Sequence, residues 1–485
     1  MKSCTILVIA DLHYVSDPEH FSACKNRKNR FGKEFLRRVL LRHKNQADLI
    51  VLMGDITDNP DPIAAESDLK QIVQLIQETE VPAIFVRGNH DIPLPRFLEI
   101  TGNNRTLVKN GYLFFAFYDE WEEGDNCVRP DEEWNKFLKT RASYPDTTFV
   151  VFQHNPIFPK IKRAYPYNLT DFMNIAKLYE EQGVTLSVSG HYHAGLAPFS
   201  SHSLTWFTAP ALCEKPFQYG LIQFNQGTPY CEKRSLMDNI GLDDYHCHTE
   251  FAYCGTNITI AGAMERSDAL GVRKLCFTEH AAQLYLPQKS FGQAEFLKDP
   301  QIIEKYRHTE YDRMSSYLTA VGRYRGAFIR AGLEVDPTLT GKITLREEDR
   351  KIVDVITGAV HFLGIDKTAP SREIENRFLS LCETLCRNRV DILAHPWRWF
   401  RRNHLPVPTH LYPVLAEMLK SYGVAAEINF HTNTPDPAFF QICLELGIKI
   451  SLGTDAHCLA ETGEFSPHVA LLSQLDIKDS AGLFF

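Results

Sequence analysis

Asp11 and His13 stand one residue apart at the end of the apolar run CTILVIA, in the tetrapeptide ADLH. The spacing recurs at His191 and His193 (GHYH), at His246 and His248 (YHCH), and at Asp455 and His457 (GTDAH). Alternate residues of a strand point to one face, so each pair can reach one ion. Three further pieces of the first half follow apolar runs: GDITD with Asp55, GNHD with Asn89 and His90, and QHNP with His154. Imidazole, carboxylate and amide together suit Mn, Fe or Zn; Mg and Ca prefer all-oxygen shells. One carboxylate bridging two ions makes a two-metal centre, which can activate water and clamp a phosphoryl group for in-line attack.

The elements that must carry these side chains can be read from periodicity. In the first half, CTILVIA, ADLIVLMG, VPAIFVRG, TTFVVFQH and VTLSVSG read as strands, and KEFLRRVLLRHK and AESDLKQIVQLIQETE as helices. SLTWFTAPAL and YGLIQF read as strands of a sheet margin. The polar segment NQGTPYCEKRSLMDNIGLDD holds the domain boundary, giving domains 1–238 and 239–485. The second half restarts the alternation, with strand-like runs ending at His248, His280, Glu334, His361, His395, Asn429 and Asp455. Repeated βα units predict a parallel, barrel-like α/β fold with chemistry at the strand C-terminal ends. The stretch 281–330 reads as an insertion over one face.

Composition sets outer bounds. A chain of 485 residues, 44% apolar and 23% charged, is long enough for two globular domains. The net charge of −8 argues against a dedicated binder of long nucleic acid, which needs a basic face. No segment reaches the roughly 20 uninterrupted apolar residues of a membrane span. The twelve cysteines are scattered, without a CxxC pair, and predict reduced thiols in the cytoplasm. Cys382 and Cys386 read as packing on a helix. His20, His43 and His202 match no motif and read as structural.

With all its motifs in order, the stretch from about residue 4 to 225 resembles the calcineurin-like metallophosphoesterase family, most closely its cyclic-nucleotide phosphodiesterase branch. The resemblance implies a four-layer αββα sandwich with two metals. It implies Asp11, His13, Asp55 and His193 at one ion, and Asp55, Asn89, His154 and His191 at the other, with Asp55 bridging. His90 would help protonate the leaving group. Lys160, Lys162 and Arg163 read either as phosphate contacts or, preferably, as a solvated loop.

DYHCHTEF, CFTEHA, GLEVD, GAVHFLG, AHPW and LGTDAH, within about residues 243 to 465, make the second half resemble the polymerase-and-histidinol-phosphatase (PHP) family. Its histidinol-phosphatase-like branch is the nearest in pattern. That resemblance implies a distorted (βα)7 barrel with two or three metals. His246, His248, Glu334 and Asp455 would hold one ion. Glu334, His361 and His395 would hold the second, and His280 and His457 would contribute to a third. The family usually carries a further Asp or His after the second histidine. Here EFAYCGTN stands in that place, and either Cys254 substitutes or no ligand does; Glu250 is the weaker substitute. HPWRWFRRNH sets Arg398, Arg401 and Arg402 beside the site as candidates for substrate phosphate. Trp397 and Trp399 either stack on substrate or pack under the loop. Glu427, Asn429 and His431 read as substrate contacts or as a hydrogen-bonded structural group.

Together the two resemblances imply a bifunctional hydrolase of small phosphodiesters or phosphomonoesters, acting through metal hydroxide, with diester and monoester steps in sequence. A nuclease or end-repair enzyme is one alternative. A single catalytic domain joined to a non-catalytic module is another. The expected partner is a small phosphorylated substrate, a nucleotide among the candidates, with no membrane. Composition leaves oligomeric state unassigned.

Overall fold

The computed structural model describes residues 3–17, 22, 24, 26–43, 45–237, 242–477 and 482–484. The expected boundary at 238–239 and His20 lie outside the described residues. The chain divides into two compact units, Met1–Met237 and Asp238–Phe485.

In the first unit two sheets face each other. One runs in the order Thr228–Ser235, Gln218–Asn225, Cys4–Ile9, Leu49–Met53, Ala83–Val86; the last three strands are mutually parallel and the first two antiparallel. The other runs Leu196–Ser201, Leu204–Thr208, Val184–Ser189, Thr148–Phe152, Tyr112–Ala116, Thr106–Lys109. Val8, Val51, Phe114, Val150, Val188 and Ile222 meet in the core between them. The second sheet buries its other face, through Phe115, Phe149 and Val151, against Phe137 and Tyr179 of helices Asp131–Ser143 and Phe172–Glu181. Strands covered on both faces need unbroken apolar runs, which explains LVI, IVLM and FVVF. Helix Pro62–Gln77 starts where the Asp61 carboxylate accepts the Ala64 N–H at 2.8 Å, with proline in the first turn.

The polar segment read as a boundary is in part a strand. Thr228–Ser235 pairs antiparallel with Gln218–Asn225 as the outermost strand of the first sheet. An edge strand exposes one side, so its polar, charged sequence is compatible with pairing.

The second unit is a single sheet of seven parallel strands: Asp243–Cys247, Lys274–His280, Ile329–Val335, Val355–Gly358, Ile392–Leu393, Ala425–Asn429 and Ile450–Gly453. The sheet curls so that its first and last strands meet. The Asp455 N–H donates to the His246 carbonyl at 2.6 Å, and the His248 N–H to the Ala456 carbonyl at 3.1 Å. This is the nearly closed (βα)7 barrel that the sequence predicts. Helix Ser371–Arg387 buries Ile374, Phe378, Leu381, Cys382 and Leu385, one stripe at helical spacing. Cys382 and Cys386 are both buried there, as the packing reading requires. The stretch read as an insertion, 281–330, forms short helices up to Gly322, whose Tyr285, Phe296, Ile303 and Tyr317 join the barrel core, and ends in the first residues of the strand Ile329–Val335. Among the described residues no helix is long and apolar enough to cross a membrane.

Candidate metal centres

At the first centre the backbone departs from the strand geometry on which the Asp11–His13 pairing argument rests. The strand ends at Ile9, and Asp11, His13, Asp55 and His191 all take left-handed conformations with φ of 50°, 48°, 50° and 64°. Turns beyond the strand ends, not strand alternation, aim these side chains. Such conformations are unfavourable for non-glycine residues and are typical of functional sites. Gly54, at φ 87°, lies against the His154 ring; a Cβ there would collide with Nδ1.

Asp55 is the hub. Its Oδ2 lies 3.6 Å from His13 Nε2 and 3.4 Å from His154 Nε2. On one side His13 Nε2 meets His193 Nε2 at 3.2 Å, and His193 Nε2 lies 3.6 Å from Asp11 Oδ1. On the other side His154 Nε2 meets His191 Nδ1 at 3.1 Å. Donor atoms of Asp11, Asp55, His154 and His191 lie within 4.8 Å of one another. Asn89 Oδ1 is buried without a hydrogen-bond partner.

The far nitrogens are held from behind. His154 Nδ1 bonds the Met53 carbonyl at 2.7 Å, His193 Nδ1 bonds Glu214 at 2.7 Å, and His13 Nδ1 faces Asp58 at 3.3 Å. Such backing fixes the tautomer and presents the other nitrogen as a lone pair. Asp58 also holds His90 Nδ1 at 2.5 Å. Burial opposes a charge on His90, but Asp58 and Asp55 outweigh it and raise its pKa. Asp91, the last residue of GNHD, accepts the N–H groups of Ile56, Thr57 and Gly88 and so ties the two turns together.

In the second centre the hub is Glu334. Its Oε2 faces His246 Nε2 at 3.5 Å, His248 Nε2 at 3.7 Å and His280 Nδ1 at 2.5 Å. Its Oε1 faces His361 Nε2 at 3.3 Å and His395 Nε2 at 3.1 Å. Asp455 Oδ1 lies 2.9 Å from His248 Nε2 and 3.5 Å from His246 Nε2. His457 joins His248 and His280, with donor atoms within 4.8 Å. The backing pattern repeats. Glu427 bonds His246 Nδ1 at 2.8 Å, Glu279 bonds His248 Nδ1 at 3.0 Å, and Asp336 bonds His361 Nδ1 at 2.8 Å.

These residues fit cations. Buried His191 Nε2, His246 Nε2, His280 Nδ1, His361 Nε2 and Glu334 Oε2 have no hydrogen-bond partner of good geometry. Burial opposes protonation of His154, His248 and His361, yet nearby carboxylates lift each pKa to about 9. Burial likewise disfavours charge on Glu334, but the surrounding imidazoles hold its pKa well below the usual range. Burial instead holds His191 and His457 down at about 3 and lowers His13 and His395, so each centre pairs imidazoles that stay neutral with a carboxylate that stays charged.

Several sequence readings sort out here. Arg398 and Arg402 line a cavity of about 320 Å³ with His280, His361, His431 and His457. Arg398 is buried, and its Nη1 meets Asp455 Oδ2 at 2.6 Å. Arg401 does not line that cavity. Trp397 is buried against Phe378, Tyr412 and Phe439, so it packs under the loop and offers no stacking face. Asn429 bonds Glu427 and Asp455, the structural role. Glu250 accepts the Ile260 N–H at 2.8 Å, which commits it to a helix start. Cys254 is exposed, lines the cavity and accepts from Gln283 at 3.4 Å. Lys160, Lys162 and Arg163 are exposed. His43 is partly buried against the Tyr219 hydroxyl at 2.9 Å, and His202 is exposed. Motif spacing misses the backing carboxylates Asp58, Glu214, Glu279 and Asp336, whereas Glu427, read as a substrate contact or a hydrogen-bonded structural group, takes the second role. Glu279 and Asp336 stand at a strand end beside a ligand, which is the signal that could reveal them.

Comparison with known proteins matches the two halves of the chain separately. Residues 4–195 match the family model for calcineurin-like phosphoesterases, and residues 244–431 match that for the PHP domain. A probable phosphatase of Caldanaerobacter subterraneus is 25% identical over 151 residues, 29% of this chain and 54% of the relative. A probable cyclic nucleotide phosphodiesterase of Synechococcus is 26% identical over 204 residues, 39% of this chain and 73% of the relative. A solved dimetal phosphatase from Danio rerio is 16% identical with a TM-score of 0.42, over 48% of this chain and 96% of that one. The chain spans between about half and two thirds of the first curated relatives, 54%, 53% and 64% of their lengths. The chain thus carries a calcineurin-like phosphoesterase match over residues 4–195, followed by a PHP domain match over residues 244–431.

Proposed function

We propose that the chain is a two-domain, metal-dependent phosphoric ester hydrolase acting on small phosphorylated compounds in the cytoplasm. One observation carries this reading. In both domains imidazoles converge on a single buried carboxylate, Asp55 or Glu334, while other carboxylates or a carbonyl hold their far nitrogens. Asp11, His13, Asp55 and His193 would hold one ion of the first centre, and Asp55, Asn89, His154 and His191 the other. In the second centre, His246, His248, Glu334 and Asp455 would hold one ion and Glu334, His361 and His395 the next. His280 and His457 remain for a third ion, with Cys254 beside them. Bound Mn, Fe or Zn would neutralise phosphoryl charge and lower the pKa of water toward neutrality.

The chain's own groups supply the rest. His90, whose pKa is raised by Asp58 and Asp55 against the effect of burial, would hand a proton to the leaving oxygen of an in-line displacement. Arg398 is a fixed positive group beside Asp455, and Arg402 at the cavity wall can take phosphoryl oxygens in a fork. Two complete centres in one chain suggest divided labour, one domain opening a diester and the other removing the remaining monoester. The test uses Mn-supplemented protein with bis(4-nitrophenyl) phosphate and 4-nitrophenyl phosphate, comparing Asp55→Ala and Asp455→Ala. Each variant should lose a different activity. Loss of both activities in one variant, with none in the other, would leave a single hydrolytic domain.

A further inference from the structure

A thiol stands at the first centre that the ligand sets above leave out. One donor atom each of His13, His193 and Cys213 lie within 4.8 Å of one another. His13 and Cys213 are buried, and His193 is partly so. Sulfur sits about 2.3 Å from zinc and imidazole nitrogen about 2.0 Å, so two such donors share an ion at separations up to about 4.3 Å. The cluster therefore needs at most about half an ångström of closure to take one cation. None of the ligands assigned above to this ion carries sulfur.

The backbone brings Cys213 there by tying its segment to two ligand-bearing turns. Strand Leu204–Thr208 runs parallel to Val184–Ser189, the strand that leads to His191 and His193. Beyond its end the Ala211 N–H donates to the His193 carbonyl at 2.9 Å, and the Leu212 N–H to the Ala10 carbonyl at 3.0 Å. The Cys213 N–H reaches the Asp11 carbonyl at 3.4 Å, and the next residue, Glu214, holds His193 Nδ1 at 2.7 Å. A buried free cysteine is ordinarily a small apolar filler. This one is held between Asp11 and His193, beside His13. Burial and the nearby Asp11 and Glu214 carboxylates push the thiol up, so its proton passes to solvent when a cation takes the sulfur.

We propose that the Cys213 sulfur is a further ligand of the ion held by Asp11, His13, Asp55 and His193, and that it selects zinc over manganese at that position. Thiolate favours Zn, whereas shells of carboxylate and water suit Mn. The inference rests on the reading of the first centre as a metal site and names the metal at one of its two positions.

The test is absorption spectroscopy during Co2+ titration of the chelator-stripped full chain carrying Glu334→Ala, which removes the hub of the other centre. Cobalt(II) on imidazole and carboxylate gives only visible d–d bands, whereas a bound thiolate adds a charge-transfer band in the near ultraviolet. That band should grow with the visible bands. It should vanish in Cys213→Ala and in Cys213→Ser, and persist in Cys254→Ala, the thiol of the second domain's cavity. Competition dialysis gives a second readout. Cys213→Ser should cut the zinc-over-manganese preference by at least about 10-fold, the least that a change behind a ligand costs. A parent spectrum with d–d bands alone overturns the inference without any cysteine variant, so a variant that fails to fold does not shelter it. A charge-transfer band that survives in Cys213→Ala, or an unaltered metal preference in Cys213→Ser, overturns it as well. Cobalt bound without charge transfer leaves the metal-centre reading standing; no Asp55-dependent cobalt uptake at all ends both.

Discussion

Glu427→Gln is the most informative single change in the second centre. The carboxylate is buried and accepts three bonds: His246 Nδ1 at 2.8 Å, the His395 N–H at 2.8 Å and Asn429 Nδ2 at 3.0 Å. Glutamine has the same shape but only one acceptor oxygen. If that oxygen stays with His395 and Asn429, the amide N–H faces His246 Nδ1. His246 must then move its proton to Nε2, the nitrogen aimed at Glu334 and Asp455. If the amide turns over, two buried donors lose their acceptor. Either outcome removes at least one charge-assisted bond, worth about 1.5–3 kcal/mol. That matches the roughly 10- to 100-fold loss of metal affinity expected when a group behind a ligand is changed. The assay is equilibrium dialysis against buffered Mn with elemental analysis, in an Asp55→Ala background so that only the second centre reports. The Glu427→Gln curve should shift to roughly 10- to 100-fold higher free Mn. A curve superimposable on the parent, with unchanged circular dichroism, would refute the reasoning.

Other expectations follow from the same contacts. Asp58→Asn loosens His90 and His13 together, and kcat for the first domain should fall about 10²-fold or more while KM changes little; steady-state kinetics with a diester decide it, and an unchanged kcat would remove Asp58 from the account. Gly453→Ala would drive a Cβ into the Glu427 carboxylate and to 2.6 Å from the His246 Cβ. It should lower the melting temperature and the metal content of the second centre, whereas Gly447→Ala, where a Cβ meets nothing, should spare the metal content. Burial holds the His43 pKa down at about 4, against an ordinary value of 6.5. Below pH 6.5 the unfolded chain takes that proton and the native chain does not, so stability falls between pH 6.5 and 4. The loss is at most about 3 kcal/mol, and less for a partly exposed ring. His43→Gln should flatten urea-unfolding stability across that interval, and an unaltered pH dependence would exclude His43 as its source.

Much of this architecture is legible in the primary structure because the chemistry sits at the ends of apolar runs. Unbroken runs such as LIVLM announce strands covered on both faces, and the residue that follows is placed by the turn. His246, His280, Glu334 and Asp455 are therefore readable as one centre before any coordinates. The backing carboxylates are not, because pairing depends on closure of the fold. Glu427 reaches His246 across 181 positions, and Glu214 reaches His193 across 21. Alone, Glu214 is an ordinary acidic residue, and Glu427 reads as a substrate contact or a hydrogen-bonded group whose partner cannot be named. The edge strand Thr228–Ser235 escapes for a different reason. Its composition is polar because one side faces solvent, so periodicity reads it as a linker. The left-handed turns at Asp11 and His13 are invisible too, since no glycine precedes them and nothing in these residue types demands a positive φ. Trp397 shows an alternative that only the structure decides: next to Arg398 it reads as a stacking platform or as packing under the loop, and it is buried among aromatic side chains.

The central claim is that one chain holds two independent metal centres, one organised by Asp55 and the other by Glu334. The most direct measurement is bound transition metal per chain for wild type, Asp55→Ala, Glu334→Ala and the double variant, after dialysis at fixed free Mn or Zn. Each single variant should lose part of the metal, the two losses should add, and the double variant should retain essentially none. A single variant that empties the chain, or a double variant that still holds the wild-type amount, would contradict the account.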